Sequence, residues 1–320
     1  MKRMIALALA CAGLMTACAY QQSGADASHP ETPESAVSVS ETSSAVPESP
    51  SEGTTPFLSP DEYPRMDGST ANMPLMAQVR SEACGIPLEE AEKLTSCSTT
   101  PDAWLNLANG KADILLVYEP AEETKSAVEQ TGTALDVQPV GRDGLVFIVN
   151  ESNPVEDLTI QQLKDIYSGK ITNWKEVGGN DEEIVAYQRS DTSGSQSLFM
   201  KLLMNDTKPM KAPHSLKPDA MGMLIDELAE YNNAGNAIGY SVFYYASYMY
   251  SKPGLKFLRV DGVAPSDESI AAQEYPLLNE YYVAIREDEG ADSPARILRN
   301  WILSEEGKAA ARKAGYIPVD

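Results

Sequence analysis

The chain has 320 residues, with 47 Asp or Glu against 25 Lys or Arg, for a formal net charge of −22. That acidic excess repels a phosphodiester backbone and excludes nucleic acid as a partner, and it requires any bound anion to be held by local, directed donors. Two histidines and four cysteines, in no clustered arrangement, predict neither a metal centre nor a cofactor.

At the N-terminus, Lys2 and Arg3 precede an apolar run from Met4 to Met15. It is too short to span a bilayer and reads as the core of a signal peptide, residues 1–17. The run ends at Thr16-Ala17-Cys18, and small residues before a cysteine resemble the lipobox of bacterial lipoproteins. Met15 stands where that pattern usually has Leu. The resemblance implies cleavage before Cys18 and lipidation of its thiol; the alternative is an ordinary signal peptide and a freely secreted protein. From Ala19 to about Thr55 the chain is rich in Ser, Thr, Pro, Glu and Ala and lacks Lys and Arg. Such a segment buries too little surface to offset its ordering entropy, so residues 18–60 are expected to form a disordered tether. The expected location is the extracytoplasmic face of the cell membrane, reached through the lipid anchor only. Cys84 and Cys97 remain, where a disulfide is permitted; a bridge and two separate thiols are both open.

Further along, Pro74 to Ala83 has helical spacing. Thr100-Pro101 opens a short helix, with Thr100 as N-cap, Pro101 at the first position and Gly110 as its stop. Ile114 to Tyr118 and Leu145 to Val149 are compact apolar runs, hence buried strands. Thr159 and Gln162 have capping-box spacing ahead of Ile160, Leu163 and Ile166. Ile184 to Tyr187, Ala237 to Tyr240, Lys256 to Val260 and Tyr281 to Ile285 read as strands, and Ser293-Pro294 opens a helix carrying Ile297, Leu298, Trp301 and Ile302. Tyrosines crowd the stretch from Tyr240 to Tyr250, which predicts aromatic packing rather than a sugar site. The alternation is that of an α/β protein.

The segment Arg189-Ser-Asp-Thr-Ser-Gly-Ser195 lies between a strand-like and a helix-like run. Helix N-termini present unpaired N–H groups and partial positive charge, and a guanidinium fork matches a tetrahedral oxyanion. Asp67-Gly-Ser-Thr-Ala71, Ser98-Thr-Thr100 and Tyr118-Glu-Pro120 are further places where donors meet an element end. Each of these three taken alone is more often an ordinary cap or turn than a binding site. A serine hydrolase using Ser193 or Ser195 would need a general base, and only His29, in the tether, and His214, in a loop-like Pro-His-Ser context, exist.

Asp67-Gly-Ser-Thr-Ala71, Ile171-Thr-Asn-Trp174, Arg189-Ser-Asp-Thr-Ser-Gly-Ser195, Ile238-Gly-Tyr240 and Tyr275-Pro-Leu277 occur in an order that resembles the phosphate-binding proteins of bacterial phosphate ABC transporters. The resemblance runs from about Tyr63 to Val319. It implies a two-lobed α/β fold of the type II periplasmic-binding-protein kind with a ligand cleft between the lobes. Lobe one would comprise 61–144 plus 245–320 and lobe two 145–244. It also implies a monomer that delivers inorganic phosphate to a membrane-embedded ABC permease and that is not an enzyme. Carried over by position, the ligand set is Ser69, Thr70, Ala71, Thr99, Thr100, Glu119, Arg189, Ser193, Gly194 and Ser195, with Asp191 buttressing Arg189. The family commonly has an Asp after the strand that here ends in Tyr118-Glu119, a carboxylate that accepts a hydrogen bond from protonated phosphate and so rejects fully deprotonated oxyanions such as sulfate. Glu119 takes that role if the turn is shifted by one residue; otherwise the acceptor is missing or is supplied by Asp67. Another tetrahedral oxyanion as ligand, or a surface lipoprotein that binds none, remains the alternative.

Overall fold

The computed structural model describes residues 55–191, 193–230 and 235–319. The signal-like segment, Cys18 and most of the expected tether lie outside the described residues. The end of that tether packs against the folded part. The backbone N–H groups of Phe57 and Leu58 both donate to the Ala83 carbonyl at 3.1 Å, Leu58 is buried, and the Phe57 ring lies 5.4 Å from Trp301. These two apolar residues end the polar stretch of the sequence.

The described strands are β1 (Met66–Gly68), β2 (Ile114–Tyr118), β3 (Leu135–Asn150), β4 (Asp157–Leu158), β5 (Val185–Ala186), β6 (Ala237–Val242), β7 (Leu255–Phe257), β8 (Arg259–Val260), β9 (Leu278–Arg286) and β10 (Ile317–Pro318). The main sheet has the order β1-β2-β9-β3-β6-β5, with β10 and β7 also paired to β3. Its backbone is β3, a strand of 16 residues. From Leu135 to Gly144 it pairs with β9, and from Leu145 to Val149 with β6, both antiparallel. One strand thus belongs to two half-sheets, which are the cores of two lobes. The sequence showed only the second half of β3, because Asp136, Gln138, Pro139, Arg142 and Asp143 interrupt the apolar pattern of the first. The expected strand from Ile184 to Tyr187 shrinks to two residues at the sheet edge, parallel to β6. The Lys256 to Val260 run splits into β7, which pairs with β3, and β8, which pairs with β4.

Helices follow their sequence signals. The Met73–Cys84 helix ends at Gly85, whose φ of 64° suits glycine. Thr159 caps the Ile160–Tyr167 helix through the Gln162 N–H, completing the capping box. Ser293 caps the Pro294–Ile302 helix. Against the second half-sheet, Phe147 and Tyr240 of its strands join Tyr167 and Phe199 of the helices in an aromatic cluster, with Phe199 and Tyr240 stacked at 4.4 Å. Tyr244 stacks on Tyr316 at 3.7 Å, and Tyr245 reaches the cavity described below. Cys84 and Cys97 are free thiols. Among the described residues no helix is long and apolar enough to cross a membrane.

Candidate functional site

Arg189 follows β5 and is buried, with 4% of its surface exposed. Its Nε donates to the Pro218 carbonyl at 3.0 Å, Nη2 to the Asp219 carbonyl at 2.8 Å, and Nη1 to Ser195 Oγ at 3.3 Å. Three of five N–H groups are thereby spent on fixing the plane of the fork. The main chain is fixed as well, since the Arg189 N–H donates to Tyr240 Oη at 3.0 Å and Gln196 Oε1 at 3.1 Å. The aromatic stack behind Tyr240 makes this a rigid mount. Burial lowers the guanidinium pKa, with Tyr240, Tyr245 and Asp219 acting the other way.

Arg189 opens on a cavity of about 300 Å³. The same cavity is lined by Ser69, Thr70, Ala71, Thr99, Thr100, Ser193, Gly194 and Ser195, so segments far apart in sequence meet at one point. Ser193 caps the Gly194–Leu198 helix by accepting from the Gln196 N–H. Opposite, Thr70 starts a short 3₁₀ turn leading into the Met73–Cys84 helix, and Pro101 lies in the first turn of the Thr100–Ala108 helix. The cap of that last helix is Thr99 rather than Thr100, and Thr99 has φ 86° and ψ 163°, a region almost reserved for glycine. Ser69 acts from behind: its Oγ accepts from the Tyr118 N–H at 3.0 Å and hydrogen-bonds Thr100 Oγ1 at 2.7 Å. Thr100 and Gly194 nearly touch across the cavity, since a Cβ built on Gly194 would lie 2.6 Å from Thr100 Oγ1.

Three expectations change. Glu119 does not line this cavity; it faces a neighbouring one and pairs with Lys201. Asp191 does not buttress Arg189, because its exposed carboxylate pairs with Lys217 at 3.2 Å while carbonyls hold the guanidinium. Asp67 is engaged by the Ser98 N–H at 2.8 Å, the Ser98 hydroxyl, and Asn106 Nδ2 at 2.9 Å. It organises the loop before Thr99 and has little left to offer a ligand.

Sequence reasoning missed Asp219, Ala220 and Met221, which also line the cavity. Ala220 caps the Met221–Ala229 helix, so another helix N-terminus points at the same space. Pro218-Asp219 ahead of an apolar run was the available signal. Helix starts from several parts of the chain surround one buried cation, and such a setting satisfies a desolvated tetrahedral anion.

A family model described as the PBP superfamily domain matches residues 61–306. The chain belongs to the periplasmic-binding-protein (PBP) superfamily. Its curated relatives include proteins named phosphate-binding protein PstS. The one from Bacillus subtilis is 31% identical over 177 residues, 55% of each chain, so this match takes in about half the relative's length. The one from Staphylococcus saprophyticus is 27% identical over 263 residues, 79% of each chain. Among solved structures, a putative phosphate ABC transporter substrate-binding protein from Clostridium perfringens, with bound phosphate, is 28% identical with a TM-score of 0.61. That match covers 80% of this chain and 98% of the other. An ABC-type phosphate transport receptor from Vibrio cholerae is 25% identical, with a TM-score of 0.59 over 79% of this chain and 98% of that one. The half-sheets sharing β3 are the two lobes of the PBP type II α/β fold, and the cavity lies in the cleft between them.

Proposed function

We propose that this PBP captures inorganic phosphate outside the cytoplasm and delivers it to an ABC permease. Arg189 carries the reading: a buried guanidinium held by carbonyls, facing a cavity ringed by helix N-termini. A buried cation is costly unless an anion neutralises it, and charge-assisted bonds from one Arg plus neutral hydroxyl and N–H donors satisfy a phosphate without accumulated positive charge. The names of the relatives support the choice of phosphate. The ligand set we propose is Thr70, Ala71, Thr100, Arg189, Ser193, Gly194 and Ser195, with Ser69 and Thr99 shaping it. Asp219 is the carboxylate among the lining residues, and in this reading it accepts a hydrogen bond from the protonated phosphate. The first crossing between lobes falls at Gly144. We put the return after Val260 instead of at 244/245, because β7 and β8 still pair within lobe two. Lipidation at Cys18, tethering to the membrane, a monomeric state and the absence of catalysis belong to the same proposal.

Calorimetric titration with phosphate, arsenate and sulfate, on protein stripped of ligand, is the test. Phosphate is expected to bind in a one-to-one ratio, and Arg189→Ala to weaken it by at least about a hundredfold, in line with about 3 kcal/mol for a lost buried charge contact. Folded wild-type protein giving neither heat nor a thermal shift with phosphate would sink the proposal.

A further inference from the structure

Beside the clamp lies a second, larger cavity of about 760 Å³, with Leu198 contributing to the walls of both. Its lining is unusual for so acidic a chain. Lys201, Lys208, Lys211 and Lys217 all face it, within a protein of net charge −22. The carboxylates that share the lining are already paired: Glu119 with Lys201, Asp191 with Lys217 at 3.2 Å, and Glu122 with Lys125 at 3.8 Å. Lys208 and Lys211 form no ion pair among the described residues and are exposed. The same lining carries apolar surface from Met200, Pro209 and Met210, beside polar Gln188, Gln196, Ser197 and Asn205.

This combination differs from the clamp in kind. The clamp offers a fixed fork and helix N-termini, which suit a small desolvated oxyanion. The second cavity offers mobile point charges beside an apolar surface and has more than twice the volume. Lysine ammonium groups bind phosphoryl oxygens as point charges without demanding one orientation. Methionine side chains adapt to varied apolar shapes. We propose that this cavity is a second, weaker site for organic phosphate monoesters. The phosphoryl group sits by Lys208 and Lys211, and the organic part lies on Met200 and Met210. The site goes beyond phosphate capture and does not depend on it.

Phenyl phosphate is the probe. Wild-type protein saturated with inorganic phosphate is expected still to bind phenyl phosphate, and more tightly than methyl phosphate. The Lys208→Gln/Lys211→Gln double variant should lose about tenfold in that affinity while keeping its affinity for inorganic phosphate, and Arg189→Ala should retain phenyl phosphate binding. Phenyl phosphate binding that inorganic phosphate displaces and Arg189→Ala abolishes would assign the ester to the clamp and overturn the proposal. So would no binding in any form, or binding unaffected by the double variant. If inorganic phosphate fails to bind while the lysine-dependent ester site persists, the phosphate-capture reading falls and this one stands.

Discussion

At Gly194 the two sides of the cavity come close together. A methyl group there would meet Thr100 Oγ1 at 2.6 Å, and Thr100 cannot easily yield because its hydroxyl is tied to Ser69. Gly194→Ala therefore wedges the cleft open while leaving each side's own packing intact. Overpacking of this kind costs about 1–3 kcal/mol, all of it in the closed form. Phosphate affinity should fall about tenfold, with the melting temperature of the ligand-free protein little changed. An unchanged dissociation constant would show that the contact does not limit closure. Legibility at this scale was uneven. Arg189, Ser193 and Thr100 could be read because their chemistry sits at visible helix starts. The fates of Glu119 and Asp191 could not, since a carboxylate chooses its partner in three dimensions, and Lys201 and Lys217 are far from them in sequence.

The element that matters most is β3 at its changeover. Asp143 is buried there and accepts from Tyr118 Oη at 2.6 Å, the Gly144 N–H at 2.7 Å and the Tyr244 N–H at 3.1 Å. Burial outweighs these bonds and pushes its pKa up from 3.8 to about 6. In the window between these values the native state holds more proton than the unfolded chain, so stability falls as pH rises through it. A shift of two units sets an upper bound of about 3 kcal/mol on that loss. Urea unfolding at pH 4 and pH 7 should show wild type losing stability relative to Asp143→Asn at the higher pH. A difference independent of pH would mean that Asp143 ionises as freely as in the unfolded chain. Elements with strong local signals, such as β2 and the Thr159 cap, were legible in the sequence. The first half of β3 was not, because its place is fixed by pairing with β9 and not by its own apolar pattern. The Met221–Ala229 helix was missed for another reason: its cap, Ala220, makes no side-chain bond, and only Pro218-Asp219 ahead of it marks the start.

Across the whole molecule, the Glu119–Lys201 pair joins the chain just after β2 to the region following Leu198. Both side chains are partly exposed, at 31% and 55%, so the pair is worth at most about 1 kcal/mol and is screened by salt. Glu119→Gln should weaken phosphate binding less than about fivefold at low ionic strength and not at all in molar salt; a larger, salt-independent loss would place Glu119 in direct contact with the ligand. The sheet has a further consequence. In the first half-sheet β2 is paired on one side with β1 and on the other with β9, where Ile114 meets Ile285, and β3 receives β9 and β10 from the end of the chain. A polypeptide emerging N-terminus first thus cannot finish this lobe until its last segments arrive. Such long-range pairing slows folding. The first half-sheet therefore stays incomplete through most of synthesis, and the late arrival of β9 sets the moment at which it locks.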